Sequence, residues 1–310
     1  MVKAYDLRKK IKRAMPWVTY TSTMRKSVLQ SHVDQIDQLK EDGEYLVNDG
    51  RNSCYLDSLW VAMFAPSLLR KWVSANWLNS KHAVELRNTL RKIYTRISES
   101  TQELHMYNRE LKSFTCTNVR GLLIPHAAST DVEWLRAQND PNDVLQALIN
   151  AFHQKPDVLC TRTSPSRTHM TKVLFNSIMV GTDLLYNKKR VVLKRHIFKK
   201  YNENDRVKLE IDDAKCLYIP VLRNFMGEQK LTTRVYASET VTLNTDIEME
   251  LCSIILHLGS SPNGGHYTCC FKRSGKWYYY DDLKSTYKLM DTIKTDLVRK
   301  NATAFVYAKL

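Results

Sequence analysis

The sequence predicts an α+β fold, helical in its first half and an antiparallel sheet in its second. Three observations carry that expectation. From about residue 44 to 160, apolar residues recur three or four apart, the period of one helix face. From about residue 171, short runs rich in β-branched and aromatic residues take over, separated by turn signals such as "SSPNGG" and "RSGK". Helices first and strands later is not the alternation of a doubly wound parallel sheet.

In chain order, residues 1–43 are basic and polar, with weak helical spacing near "VLQSHVDQIDQL", and read as an extension ahead of a single domain at 44–310. In "NSCYLDSLWVAMF", residues 52–64, Leu56, Leu59, Trp60, Met63 and Phe64 fall on one helix face, and Pro66 follows as a stop. "SLLRKWVSANWL", "AVELRNTLRKIYTRI" and "DVLQALINAFH" repeat the helical spacing. "VKLEI", "KCLYIPVL", "TRVYA", "ETVTL", "LCSIILHL", "HYTCCF", "KWYYY" and "TAFVYAKL" read as strands. No internal repeat or low-complexity tract appears.

Composition narrows the function classes. The 310 residues suffice for one large domain or two small ones, and 43% hydrophobic with 25% charged is ordinary for a globular protein. No apolar run approaches the roughly 18 residues that cross a bilayer, and Arg and Lys interrupt the N-terminus where the apolar core of a signal peptide would lie. Seven cysteines with no repeated spacing argue against a disulfide framework and fit a reducing compartment, cytoplasmic or nuclear. The net charge of +15 concentrates in "RKKIKR", residues 8–13, and "NKKRVVLKRHIFKKYN", residues 187–202. Each reads either as a solvated face or as a contact for a polyanion, nucleic acid or an anionic membrane surface. The first also fits a nuclear-import signal.

Cys54 heads the first strong helix. There the backbone N–H groups and the helix dipole favour negative charge, which lowers a thiol pKa and makes a nucleophile. The plainer alternative is a capped core helix with a buried cysteine. "NGGHYTCCFKRSGKWYYYDDLKS", residues 263–285, reads as a β-hairpin turning at Ser274-Gly275. Pairing across it brings His266, at the start of one strand, beside Asp281 and Asp282, at the end of the other. Gly264 and Gly265 carry no side chains and admit close backbone approach. A thiol at a helix start and a carboxylate-oriented imidazole make the Cys-His-Asp arrangement of papain-like proteases. Alternation along the strand lets only one carboxylate face the imidazole. One of Asp281 and Asp282 is expected to accept the Nδ1–H of His266 and leave Nε2 for Cys54, with the other in support, and alternation does not say which.

"NSCYLDSL" resembles the cysteine box of the ubiquitin-specific proteases, and its Asn-Ser-Cys-Tyr-Leu-Asp-Ser form is most similar to the cylindromatosis-type branch. "GGHYTCCFKRSGKWYYYDD" resembles the histidine box. "QNDPNDVLQALINAFH", "CLYIPVLRNFMGEQKLTTRVYASETVTL" and "ATAFVYAKL" resemble the intervening helix, a strand pair and the last strand, so the likeness spans about residues 44–310. It implies a papain-like fold with a helical thumb, an antiparallel β palm and short β fingers. The implied reaction is hydrolysis of the bond after the C-terminal Gly-Gly of ubiquitin. In it Cys54 is the nucleophile, His266 the general base and acid, and Asp281 the orienting acid. Gly264, Gly265 and Tyr267 line a channel for Gly-Gly, and Asp140, with Asp143 one turn on, receives ubiquitin's arginine-rich tail, as a carboxylate suits a guanidinium.

Three departures from the pattern matter. Where the family carries an oxyanion-hole Asn five residues before the cysteine, this chain has Asp49. An ionised aspartate has no hydrogen to donate, so Asn48, selected by aligning on Gly50, and the Cys54 backbone N–H are the candidates. Many relatives carry two Cys-x-x-Cys pairs in the fingers, but none lies between Cys160 and Cys216. No structural zinc and no cofactor is therefore expected. The fingers segment, about residues 171–210, is short and basic. Elsewhere, His257 reads as a core or edge histidine. Of Cys269 and Cys270, on opposite strand faces, one is expected in the core, and the tyrosines at 278–280 read as hairpin packing. Two rival functions stay open: a weak or inactive ubiquitin-binding module recruited by the basic segments, and a protease for another ubiquitin-like modifier.

Overall fold

The computed structural model describes residues 41–44, 52–81, 83–98, 117–127, 139–152, 159–164, 167–174, 179–202, 216–225, 229–243, 247–261, 264–284 and 286–310. The basic segment 8–13, Asn48, Asp49, the strand expected at "VKLEI" and residues 175–178 and 203–210 of the fingers segment lie outside these. So does the side chain of Cys160, and with it the zinc expectation.

The first strand, β1 (Glu41–Glu44), precedes the helical layer: α1 (Cys54–Phe64), α2 (Ser67–Val73) running into a π turn at Ser74–Leu78, α3 (Val84–Ser98), α4 (Thr117–Leu123) and α5 (Pro141–Phe152). Two small units follow, the hairpin β2 (Leu159–Ser164) and β3 (Arg167–Leu174), then α6 (Thr182–Asn187), β4 (Arg190–Val192) and α7 (Leu193–Asn202). The palm holds β5 (Cys216–Pro220), β6 (Asn224–Phe225), β7 (Gln229–Lys230), β8 (Arg234–Tyr236), β9 (Thr240–Leu243), β10 (Ile247–Ser261), β11 (Gly264–Arg273), β12 (Lys276–Asp281), β13 (Thr286–Met290), α8 (Asp296–Asn301) and β14 (Ala302–Lys309).

An eight-stranded sheet organises the molecule, in the order β1-β13-β12-β11-β10-β14-β5 with β9 on β10. Its pairs are antiparallel. Its edge strand β1 uses the last residues of the segment read as an extension. The β11–β12 turn follows from its residues. Ser274 and Gly275 both take positive φ, 50° and 76°, as a two-residue turn between right-twisted strands requires, and Arg273 pairs with Lys276 across it.

α1 departs from the one-faced helix expected. All of its residues are buried, because it runs between the sheet and α2, α3 and α5, and a helix enclosed all round has no solvent face to keep polar. Ser253 donates from the sheet to the Ala62 carbonyl at 2.8 Å. At the far end Arg70 donates to the carbonyls of Phe64 at 2.9 Å and Ala65 at 3.1 Å, satisfying acceptors that a helix C-terminus leaves open. At the near end Asn52 sits in the left-handed region, φ 65°, which Asn tolerates better than most residues. The bend at Asn52 turns the chain so that Cys54 opens the helix.

The sheet is covered on both faces, so Cys269 and Cys270 are both buried, not one of them. Both are free thiols, as are Cys54, Cys216 and Cys252. The tyrosine run packs the hairpin as expected: Tyr279 and Tyr280 are buried, and Tyr278 stacks on Phe271 with centroids 5.4 Å apart. The basic stretch 187–202 is a different case. It lies at the edge of a region read as β, yet it is mostly α7, anchored by buried Leu193 and Ile197. β4 joins β8 in a parallel pair. Among the described residues no helix is long and apolar enough to cross a membrane.

Candidate active site

The site forms where α1 meets β11. Cys54 is 0% exposed, and its sulfur accepts a hydrogen bond from the Tyr267 backbone N–H, the residue after His266. The backbone itself thus ties the cysteine to the histidine strand.

The thiol does not rest as the low-pKa group expected from its place at a helix start. Burial pushes it well up, Asp282 and Asp57 push the same way, and the Tyr267 N–H and Arg120 pull back without prevailing. The physical reason is that a helix N-terminus contributes only partial charge, whereas removing a thiolate from water and facing it with carboxylates costs more. Cys54 therefore rests as a thiol, and its activation depends on a base taking the proton.

The base expected to take it, His266, is turned the other way from expectation. His266 Nε2, not Nδ1, faces Asp281, with Oδ1 at 2.8 Å. Nδ1 is buried without a hydrogen-bond partner among the described residues, so it is the nitrogen left for the thiol. Both aspartates also face the ring. Asp282 Oδ1 lies 3.4 Å from the same Nε2. Strict alternation fails because β12 ends at Asp281 and the chain turns at once: the Leu283 N–H donates to Asp281 Oδ1 at 3.0 Å and the Lys284 N–H to the Asp281 carbonyl at 3.1 Å. Burial pushes the Asp281 carboxyl up, but the His266 imidazole, its hydrogen bond, the Leu283 N–H and Lys284 together hold it below the ordinary carboxylate range. His266, Asp281 and Asp282 bring three ligand-type atoms within 4.8 Å of one another, a cluster fully accounted for by the imidazole pairing.

Asp140 and Asp143 stand at the start of α5. The Asp140 side chain accepts from the Asn142 backbone N–H at 2.8 Å and from its amide at 2.7 Å, and its carbonyl accepts the Asp143 N–H at 3.0 Å. Burial and the neighbouring Asp143 raise the Asp140 carboxyl to about 6, against the Asn142 hydrogen bonds. Both carboxylates lie close enough to the buried Tyr267 and Tyr218 hydroxyls to add to the upward push of burial on each. An acidic pair, two tyrosines and Cys54 thus form one continuous locus.

Gly265 is crowded by its own sheet. A Cβ there would stand 2.4 Å from His257 Nε2 and 2.4 Å from the Leu258 carbonyl oxygen. Gly264 presents its carbonyl 2.9 Å from where a Cβ of Gly259, at φ 141°, would stand. The double glycine admits a close approach, as expected, and what approaches is β10.

Several residues of this locus are given no role by the sequence reading, although Asp57, Arg223 and Lys230 lie within stretches that carry the family resemblance. Asp57, buried in the first turn of α1, accepts from Ser53 Oγ at 2.7 Å. Arg120 is buried 5.5 Å over the Tyr55 ring. Lys230 is buried and donates to the His257 carbonyl, to the Gly259 carbonyl at 3.3 Å and to Asn301 Oδ1 at 2.7 Å. Arg223 donates to the carbonyls of Ala302, Leu231, Thr233 and Arg299 at 2.6–2.9 Å. A lone Arg or Lys in a loop is read as exposed. Only long-range carbonyl acceptors make these interior, and a sequence does not display them.

Comparison with known proteins agrees with the geometry. A family model described as ubiquitin carboxyl-terminal hydrolase matches residues 46–307. The chain is 42% identical over 45 residues to ubiquitin carboxyl-terminal hydrolase 4 of Arabidopsis thaliana, a stretch that is 14% of this chain and 12% of that protein. Among solved structures, the Ubp8-Sgf11-Sgf73-Sus1 SAGA DUB module superposes with a TM-score of 0.55 at 14% identity, covering 94% of this chain and 75% of that one. The same module bound to ubiquitin aldehyde gives a TM-score of 0.55 at 14% identity, over 94% and 77%. At that identity the superpositions show the fold alone. The family match spans most of the chain and encloses Cys54, His266 and both aspartates, and on that footing the chain belongs to the ubiquitin carboxyl-terminal hydrolase family.

Proposed function

We propose that this chain is a cysteine-dependent deubiquitinase that hydrolyses the bond after the C-terminal Gly-Gly of ubiquitin, with its catalytic domain running from about residue 44 to 310. One observation carries the reading: the buried His266–Asp281 pair at 2.8 Å beside a cysteine whose sulfur is held by the next backbone N–H. His266 Nδ1 takes the thiol proton as the sulfur attacks the glycine carbonyl. The imidazolium that forms lies against two carboxylates, which offsets the cost of charge in a buried site. The Cys54 N–H, with Asn48 as side-chain donor, serves the developing oxyanion. His266 then gives its proton to the leaving amine, and water, deprotonated by the same imidazole, opens the thioester. The test is ubiquitin carrying a C-terminal thiol-reactive electrophile. An adduct on Cys54 is the expected result. Binding without an adduct indicates a ubiquitin-binding module, and an adduct only with another Gly-Gly modifier reassigns the substrate.

Asp140 and Asp143 receive the arginine of the ubiquitin tail in this reading, with Gly264, Gly265 and Tyr267 along the Gly-Gly channel. Because the Asp140 carboxyl sits at about 6, it gains a proton as the pH falls through that value and the guanidinium loses its partner. KM for a ubiquitin substrate is therefore expected to rise on acidification from pH 8 towards 5.5. Asp140→Asn is expected to raise KM by ~10-fold at pH 8, the scale of one charge-assisted hydrogen bond, and to flatten the acid rise. An unchanged KM in a folded variant counts against the role.

Within the family, the Asn-Ser-Cys-Tyr-Leu-Asp-Ser box supports kinship with the cylindromatosis-type branch. The free cysteines fit a reducing compartment, cytoplasmic or nuclear. The basic stretch also supports a polyanion contact: Lys188, Lys189, Arg190, Lys194 and Arg195 are all exposed. Retention on heparin is expected to fall steeply with salt, as counterion release requires, and to drop when these five are changed to Gln. Unchanged elution identifies a merely solvated face.

A further inference from the structure

Beside His266, a second buried histidine, His257, has no part in the mechanism. It is 4% exposed, and its Nε2 is buried without a hydrogen-bond partner among the described residues. A buried unpaired ring nitrogen costs stability, so its place there calls for a reason. Burial, with Lys230 and His266 nearby, keeps the ring well below its ordinary pKa and therefore neutral, so it is not held there as a charge.

Its surroundings supply the reason. His257 pairs directly with Tyr267 across β10 and β11, and the two rings stand 4.6 Å apart. The same ring fills the space in front of Gly265, where a Cβ would meet Nε2 at 2.4 Å and Cε1 at 2.7 Å. Gly265 and Tyr267 are the two neighbours of His266, and the Tyr267 N–H is the group that holds the Cys54 sulfur. The next residue, Leu258, is the cross-strand partner of His266 itself. Lys230 grips the carbonyls on both sides of Leu258, those of His257 and Gly259, and is anchored on Asn301. This grip falls where the β10–β11 register shifts, between Leu258 and Ser261, the point at which the ladder alone would leave the strand least determined.

We propose that His257 is a positioning residue: through its shape, its imidazole seats Gly265 and Tyr267, and so sets His266 and the Tyr267 N–H against Cys54. The inference rests on the catalytic reading above for its kinetic arm, but not for its chemical arm, because Cys54 reactivity is measurable without ubiquitin. The ring works by filling space rather than by bonding, so a phenyl ring can stand in for it and a methyl cannot.

The experiment compares His257→Ala and His257→Phe in two assays: alkylation of Cys54 by iodoacetamide, followed on the Cys54 peptide by mass, and hydrolysis of a ubiquitin C-terminal ester. His257→Ala is expected to slow Cys54 alkylation and to lower kcat, each by ~10-fold or more, with KM within ~3-fold, the pattern of an interaction lost in the transition state. His257→Phe is expected to restore both to within ~3-fold of the parent. A fold-wide effect would lower the melting temperature without this split or this rescue. The proposal is overturned if folded His257→Ala matches the parent in both assays. It is equally overturned if folded His257→Phe fails as His257→Ala does, since the ring nitrogens would then be what counts. If His257→Ala does not fold, His257→Phe decides alone: near-parent rates support seating by shape, and a ~10-fold loss refutes it. Absence of ubiquitin hydrolysis in the parent with a clear effect on alkylation would refute the substrate and leave the positioning role standing.

Discussion

Cys54→Ala is expected to abolish hydrolysis of ubiquitin esters and amides, by ~10⁴-fold or more as for removal of a nucleophile, while leaving ubiquitin affinity within ~3-fold. Burial does not single this cysteine out, because Cys269 and Cys270 are just as enclosed. What distinguishes it is company. The Tyr267 N–H, from the strand that carries His266, reaches its sulfur at the start of α1, whereas the charge of Asp282 acts on Cys54 and Cys269 alike. Cys269 and Cys270 lie within β11, where burial raises both thiols. Losing one sulfur from the first turn of a helix enclosed all round leaves a small gap, so the variant is expected to fold and to bind. Turnover and ubiquitin binding measured side by side check this. Activity that survives Cys54→Ala but is lost in Cys216→Ala or Cys270→Ala overturns the assignment.

The second large effect separates the two aspartates. Asp281→Asn is expected to lower kcat/KM by ~10³-fold, and Asp282→Asn by ~10-fold less, a difference of about 1.4 kcal/mol or more in transition-state stabilisation. Asp281 holds the shorter distance, 2.8 Å against 3.4 Å, and is itself pinned by the Leu283 N–H. It fixes ring and tautomer together, with the proton on Nε2 and Nδ1 open to the thiol. Its lowered pKa sets the pH window. A carboxylate held below the ordinary range contributes stability that is present above that range and lost only as pH falls through the lowered value. The acidic limb of activity near pH 6 is therefore not its own. Asp282 has an opposing second effect, since its charge also pushes the Cys54 thiol up. Asp282→Asn is expected to speed Cys54 alkylation even as it slows turnover, and both rates measured on one preparation test this. A larger kinetic loss at Asp282 reverses the roles.

Much of this site is legible in the chain because its parts are local. "NSCYLDSL" carries its own bend, at Asn52, and its own helix start. "RSGK" carries a turn whose two positive φ values Ser and Gly accept. The distance from His266 to Asp281 follows from that turn and from the strand lengths. The apolar runs "LCSIILHL" and "TAFVYAKL" mark β10 and β14 as strands. These features depend on residues within a few positions of one another, where sterics and period suffice.

Only the tertiary structure decided the rest. Burial by the sheet and the surrounding helices turned Cys54 from an expected low-pKa thiol into one that needs a base, because desolvation and two carboxylates outweigh a helix dipole. The end of β12 at Asp281 let both acids face one nitrogen, which strand alternation alone would forbid. The ring of His266 presents Nε2 to the acid and Nδ1 to the thiol, a choice between two nitrogens that the composition of the strand does not encode. His257 and Lys230 gained their places behind the catalytic strand from a register shift and from carbonyls distant in the chain. The sequence by itself determined which groups are present and which local bends they can make. Which of them lose water, and which then face each other without it, was decided by packing, because desolvation belongs to the assembled fold and to no residue alone.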